Sequence, residues 1–214
     1  MQRLIDGFRA GSETALQHGQ SKTDLMLALS VQIVRPIHFF ADILRDMGVK
    51  LCFCIGEFKK FSRPVDVNAN HVVLHNPSNA GNMGTIMRSA AGFGITNLVI
   101  ITPAVDHFDP KTVRASMGAL FHLNISVFSS FEEYKEKYGK REMYPFMLKA
   151  KKKLSELKVT KPYSLIFGNE ATGLPDSFLD EGTSVIISHS NRIDSLNLPI
   201  AASIALYEAT KEDF

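Results

Sequence analysis

A mainly parallel α/β sheet with helices on both faces is the fold predicted for most of this chain, on three observations. From about residue 70 onward, short runs rich in Val, Ile and Leu alternate with helical patterns; strand–helix alternation gives parallel strands whose crossover helices lie on the faces of the sheet. The run Leu98-Val-Ile-Ile101 is apolar at every position, as in a strand buried on both sides. Three predicted strands are followed by polar or glycine-bearing loops, at the strand ends where open α/β sheets hold their ligands.

The chain of 214 residues is long enough for one good-sized α/β domain plus a smaller appendage. The division expected is 1–66 as a short N-terminal α/β or helical region of substrate-binding type, and 67–214 as the main domain. With 24 Lys and Arg against 22 Asp and Glu, the formal charge is only +2. Any nucleic-acid contact therefore needs a local basic patch rather than a global field. Cys52 and Cys54 are the only cysteines; on a strand their side chains point to opposite faces, which disfavours a disulfide or a zinc site. The N-terminus carries Asp6 and Glu13 and has no signal-peptide core. The most apolar window, Leu25 to Val34, is shorter than the ~20 residues that span a bilayer. A soluble, cytoplasmic protein with no membrane partner is expected.

In chain order, Thr23 and Asp24 are potential caps for a helix from Leu25, and Pro36 ends or kinks it because proline lacks the amide donor. A second helix through Phe39, Phe40, Ile43 and Leu44 stops at Gly48, and Val49 to Ile55 reads as a strand. Lys59, Lys60 and Arg63 precede a boundary near Pro64 to Asn70; a solvated linker and a phosphate-contacting patch both fit this cluster. The main domain then reads as a strand at His71–His75, a helix at Asn82–Phe93, a strand at Leu98–Ile101, and a helix from about Pro110 to Leu120. A strand at Asn124–Phe128, a helix at Glu132–Tyr138 and a strand at Tyr144–Leu148 follow, with a Lys-rich turn at Lys149–Lys153. The last elements are strands at Tyr163–Phe167 and Ser184–Ile187 and a helix from about Asn197.

Three loops carry chemistry. In Asn76 to Gly94 the glycines miss the G-x-G-x-x-G spacing of dinucleotide folds, and no Gly-Lys-Ser/Thr of a phosphate loop is present. Instead Gly84, Arg88 and Gly92 share a helix stripe beside Thr85 and Ser89. Two glycines in a helix each cost ~1 kcal/mol relative to alanine, so close approach of a ligand or of another backbone to this stripe is expected. The second loop, Gly168-Asn-Glu170-Ala-Thr-Gly173, sets a carboxylate between two glycines at a strand end. In the third, Ser195 is either a helix cap or part of a site; no histidine is placed to make it a hydrolase nucleophile, His189 belonging to the preceding strand end. Asn197 opens the last helix, with Pro199 in its first turn.

Together, Asn82-x-Gly84-x-x-x-Arg88, Phe167-Gly-Asn-Glu170-x-x-Gly-Leu174 and Ser195-Leu-Asn197 ahead of a small-residue helix resemble the three ordered motifs of the SpoU (TrmH-like) RNA methyltransferases. The resemblance spans about residues 70 to 214, and Val113 to Ala119 is similar to a recurrent segment of that family. It implies a SPOUT fold with a C-terminal deep trefoil knot, an exception to the rule against knots, and a homodimer. The implied activity is methylation of a ribose 2′-hydroxyl in rRNA or tRNA with S-adenosylmethionine as cofactor, and no metal. By position, Asn82, Arg88, Glu170, Ser195 and Asn197 are the implied catalytic set. Phe167, Gly168, Asn169, Gly173, Ile187 and Leu196 are the implied cofactor-binding set. Pro199 departs from the small or β-branched residue usual in relatives, and the N-terminal region is atypical, leaving Lys59, Lys60 and Arg63 as its recognition candidates. The alternatives are a non-catalytic RNA-binding dimer of the same fold and a monomeric nucleotide-binding α/β protein.

Overall fold

The computed structural model describes residues 34–36 and 54–56 as backbone, and residues 60–214 in full. The chain divides into two compact units, residues 1–61 and 62–214. In the first, strand β1 (Val34–Pro36) pairs antiparallel with β2 (Cys54–Gly56). The helix expected from Leu25 thus meets extended backbone at Val34, a correction to its end; proline suits an edge strand because it has no amide to leave unpaired. The expected Thr23/Asp24 cap, the helix through Phe39 to Leu44, Cys52 and Lys59 lie outside the described residues.

The second unit is built on five parallel strands in the order β5-β4-β3-β8-β6. These are β3 (His71–His75), β4 (Asn97–Ile101), β5 (Asn124–Phe128), β6 (Glu142–Pro145) and β8 (Tyr163–Phe167). β4 and β8 are buried at every residue, as suits the mainly apolar runs Leu98–Ile101 and Leu165–Phe167 within them. The crossovers contain α1 (Ala80–Gly92), α2 (Pro110–Ala115) and α3 (Phe131–Tyr138), and the last helix is α4 (Leu198–Thr210). One sheet face, with Val73, Val99, Ile101 and Ile166, packs on Phe131, Tyr134 and Tyr138 of α3 and on Phe178. α1 packs against α2 and α4, and α4 also lies against β8. The expectation of a mainly parallel sheet with helices on both faces is met.

Several boundaries differ for local reasons. α1 begins at Ala80, two residues before the expected start, because the Asn79 side chain accepts from the Asn82 amide and caps the helix there. The helix expected from Pro110 to Leu120 stops at Ala115, since Met117 (φ 50°) and Gly118 (φ 87°) turn left-handed before a 3-10 turn at Ala119–His122. β6 ends at Pro145, but the chain runs on in register: Phe146 bridges to Val185 of β9 (Val185–Ile186). The expected Lys-rich turn contains a strand, β7 (Lys152–Lys153), which pairs parallel with β9.

The expected linker at Pro64–Asn70 is docked on the sheet. Val65 is buried in the core, its amide donates to Ser126 Oγ (3.1 Å), and the Asp66 amide donates to Asn97 Oδ1 (2.9 Å). The Ile125 amide donates to the Arg63 carbonyl (2.7 Å).

Candidate active site

The C-terminal ends of β8 and β6, the loop after β9 and the start of α4 surround a cleft of about 330 Å³. Its floor is set by the segment after β8. The Asn169 amide donates to the Gly173 carbonyl (3.2 Å) and the Gly173 amide donates back (2.9 Å), closing a tight loop. The loop admits no larger residue at Gly168, where a Cβ would lie 2.2 Å from the Gly173 carbonyl carbon. Asn169 also fastens it sideways: Oδ1 accepts from the Ala171 amide (2.9 Å), while Nδ2 donates to the Asn76 carbonyl (2.8 Å) at the end of β3.

Glu170, projecting from this loop, is the junction between the cleft and α1. Its Oε2 accepts from the Ser78 amide (3.0 Å) and Ser78 Oγ (2.8 Å). Its Oε1 accepts from the Asn79 amide (3.2 Å) and Asn82 Nδ2 (3.3 Å). Partial burial favours the neutral acid, but the bonds from Ser78 and Asn82 outweigh it and hold the carboxyl below its ordinary range. Glu170 is therefore an ionised clamp on the N-terminus of α1, where the helix dipole also favours a negative charge. A second clamp lies further along α1, where Ser89 Oγ meets Ser203 Oγ of α4 (2.8 Å) and Ser203 Oγ donates to the Pro199 carbonyl (2.7 Å).

All six residues of the expected cofactor set line the cleft: Phe167, Gly168, Asn169, Gly173, Ile187 and Leu196. Of the expected catalytic set, Glu170 and Ser195 line it. Asn82 is joined to it through Glu170. Arg88 sits on the exposed side of α1 with no hydrogen bond or ion pair among the described residues, and Asn197 is exposed at the N-cap of α4. Ser195 does not cap that helix; Asn197 occupies the cap position, without a side-chain bond. His189 lines the same cleft as Ser195 but its Nδ1 contacts the Ile187 carbonyl (2.9 Å), and no hydrogen bond joins the two side chains.

The glycine stripe separates into two cases. At Gly84 a Cβ would lie 2.5 Å from the Thr112 carbonyl oxygen and 2.8 Å from the Ser116 nitrogen, so the close approach there is by the backbone of α2 and the turn after it. Nothing lies within 4 Å of the corresponding position at Gly92.

Sequence reasoning missed Ser78 and Asn79, which supply three of the four bonds to Glu170. The available signal was a Ser-Asn pair just ahead of an apolar helical run, a cap pattern. It also missed Phe146 to Lys149, which line the cleft. Among the described residues no group of three or more His, Cys, Asp or Glu is placed to hold a metal, and no helix is long and apolar enough to cross a membrane.

Residues 69–207 match the model of the SpoU rRNA Methylase family. The chain is 31% identical over 146 residues to an uncharacterized tRNA/rRNA methyltransferase of Synechocystis, covering 67% of this chain and 53% of that protein. It is 33% identical over 158 residues to a 23S rRNA (uridine(2479)-2′-O)-methyltransferase of Streptomyces viridochromogenes, covering 70% of this chain and 55% of that protein. It thus spans about half the length of these two curated relatives. Among solved structures it resembles an AdoMet-bound rRNA methyltransferase from Sinorhizobium meliloti, with a TM-score of 0.71 at 27% identity over 83% of this chain and 70% of the other.

Proposed function

Because the chain belongs to the SpoU rRNA Methylase family, we propose that it transfers a methyl group from S-adenosylmethionine to a ribose 2′-hydroxyl of rRNA or tRNA. The observation that carries this reading is that one cleft is lined by the whole expected cofactor set, and that Glu170 ties its floor to the helix bearing Asn82 and Arg88. A cleft of about 330 Å³ is within the range of pockets that take small cofactors. Its Phe146 and Phe167 rings, stacked at 4.8 Å, and the backbone groups of the 168–174 loop suit an apolar ring system with polar edges. When bound, S-adenosylmethionine supplies an electrophilic sulfonium methyl and departs as the neutral thioether.

The chain's own residues have three tasks. Backbone groups around Gly168, Ile187 and Leu196 hold the cofactor, with Ser195 and Asn197 beside the reactive centre. Glu170, with Asn82, sets the position of α1 against the cleft. Arg88 offers a planar guanidinium that no carboxylate among the described residues neutralises. It stabilises the oxyanion that develops as the 2′-hydroxyl loses its proton to solvent, and it contacts the neighbouring phosphate. Arg88→Lys keeps the charge but loses the planar fork, and turnover should fall about 100-fold with RNA affinity nearly unchanged. Near-normal turnover in single-turnover kinetics would remove this role from Arg88.

The protein acts as a cytoplasmic homodimer with the trefoil knot of its family, and α4 supplies the pairing surface. Ile200, Ile204 and Tyr207 are 54%, 39% and 56% exposed and share one face of that helix. The test of the activity is a map of ribose 2′-O-methyl sites in total RNA with and without the protein. The reading expects at least one site to depend on it; an unchanged map despite good expression overturns it.

A further inference from the structure

Beyond the cleft, the structure has a second cationic feature that the reaction does not use. Between residues 149 and 161 there are six lysines and one acidic residue, Glu156, in a chain whose net charge is only +2. Two of the six are neutralised, Lys149 by Asp176 and Lys161 by Asp213. Lys151, Lys152 and Lys153 are exposed and make no ion pair among the described residues.

Their place in the fold is beside the rim of the cleft. Lys152 and Lys153 form β7, in register with Val185 and Ile186 of β9, and both of those residues line the cleft. Lys149, just before the run, lines it too. Beyond the main sheet the hydrogen bonding continues outward: the Phe146 amide donates to the Ile166 carbonyl and the Met147 amide to the Val185 carbonyl. The strand ends therefore follow one another as β3, β8, the extension of β6, β9 and β7. α1 starts from the β3 end of that row and the lysines stand at the β7 end, with the cleft between. Four strand spacings of about 4.8 Å place the two ends roughly 19 Å apart, a distance a few nucleotides of single-stranded RNA cover.

We propose that Lys151, Lys152 and Lys153 form a phosphate-contacting rail for the RNA strand on the side of the cleft remote from the start of α1, reading the backbone and not the bases. The inference rests on the methyltransferase reading and adds where the substrate lies. It adds a recognition surface on the main unit to Lys59, Lys60 and Arg63, the candidates read in the sequence. A strand that runs from the lysine edge toward the start of α1 crosses the cleft mouth, as transfer to one of its riboses requires. Three exposed cations at one edge suit a polyanion, and lysine contacts to phosphates are electrostatic and sequence-tolerant.

The test is binding of a fluorescently labelled total tRNA pool by the full chain between about 50 and 200 mM KCl, alongside S-adenosylmethionine binding by calorimetry. For single-stranded contacts each phosphate contributes about 0.7 to the slope of log affinity against log salt. The triple variant Lys151→Gln, Lys152→Gln, Lys153→Gln should therefore bind RNA with a slope shallower by about 2 and with affinity lower by one to two orders of magnitude. Its S-adenosylmethionine affinity and its turnover at saturating RNA should match the parent, and the triple Lys→Arg variant should bind RNA as the parent does. An unchanged salt slope in the Gln variant overturns the rail. So does a loss of affinity that the Arg variant fails to restore. A parent protein that binds S-adenosylmethionine but no RNA counts against the methyltransferase reading itself, and a parent that binds RNA with the slope intact in the Gln variant counts against the rail alone.

Discussion

Glu170 shows how much one side chain can be asked to do. Its two oxygens accept four hydrogen bonds, two from backbone amides and two from side chains, all within the turn that opens α1. A carboxamide of the same shape accepts at one oxygen only. Glu170→Gln therefore leaves two of the four donors facing an NH₂ group, whichever way the amide turns. We expect the variant to lose about 1 kcal/mol of stability, a modest figure because the site is partly solvated, and to lose turnover more than S-adenosylmethionine affinity. Denaturant melts together with calorimetric titration measure both; a variant with parental turnover would remove Glu170 from the positioning of α1. That Glu170 and Ser195 share one cleft, with Asn82 bonded to Glu170, agrees with what the sequence motifs suggested. Ser78 was not legible there, because its role appears only when a loop 92 residues away is folded against it.

At the scale of elements, α1 is held from three sides, and each contact makes its own demand on sequence. Gly84 is needed because α2 crosses within van der Waals contact of its Cα. A Cβ there would meet the Thr112 carbonyl at 2.5 Å and the Ala115 Cβ at 2.6 Å. Gly84→Ala should cost about 2 kcal/mol or more through backbone displacement, while Gly92→Ala, with open space around it, should leave stability unchanged or raise it by about 0.5 kcal/mol. Thermal melts of the two variants decide this; equal effects would mean the stripe is not a packing device. At the opposite end of the sheet, β3 is pinned to α3 by a buried polar chain. His71 Nε2 meets the Asp66 carbonyl (2.8 Å), Nδ1 meets the Tyr134 hydroxyl (3.0 Å), and that hydroxyl meets Ser164 Oγ (2.6 Å). Burial holds the imidazole neutral, with its pKa lowered from 6.5 to about 4. The unfolded chain therefore binds the proton first as pH falls. The stability this site contributes is complete above pH 6.5 and is lost between about 6.5 and 4, by up to about 3 kcal/mol. In His71→Gln the slope of stability against pH across that window should flatten; an unaltered slope would show that other groups produce it.

The main unit presents a cleft at the strand ends, a lysine edge beside it and an apolar strip on α4. Ile200 and Tyr207 are each more than half exposed on a helix whose opposite face, with Ala202, Ala205, Leu206 and Ala209, is buried. A two-fold pairing of like surfaces would cover such a strip in both copies at once. Ile204→Arg, a charge in the middle of it, should convert a dimer to a monomer in sedimentation velocity without altering the fold by circular dichroism. A parent that sediments as a monomer would leave the strip without this role.

The sequence by itself determined the layers of the fold, through the apolar runs of β4 and β8 and the alternation around them, and it determined which residue types crowd the strand ends. Local chemistry carries that information: a run such as Leu98 to Ile101 is driven out of water, and glycines on either side of a carboxylate favour a loop. Only the tertiary structure decided the meaning of Gly84 and of Ser78, and the place of Lys151 to Lys153. A glycine in a helix does not say whether a backbone or a ligand needs the room, and a run of lysines reads as a solvated turn until β7 is seen in register with β9 at the rim of the cleft. Contacts between residues far apart in sequence depend on the register of strands and the crossing of helices, which the whole chain settles together and no short segment encodes.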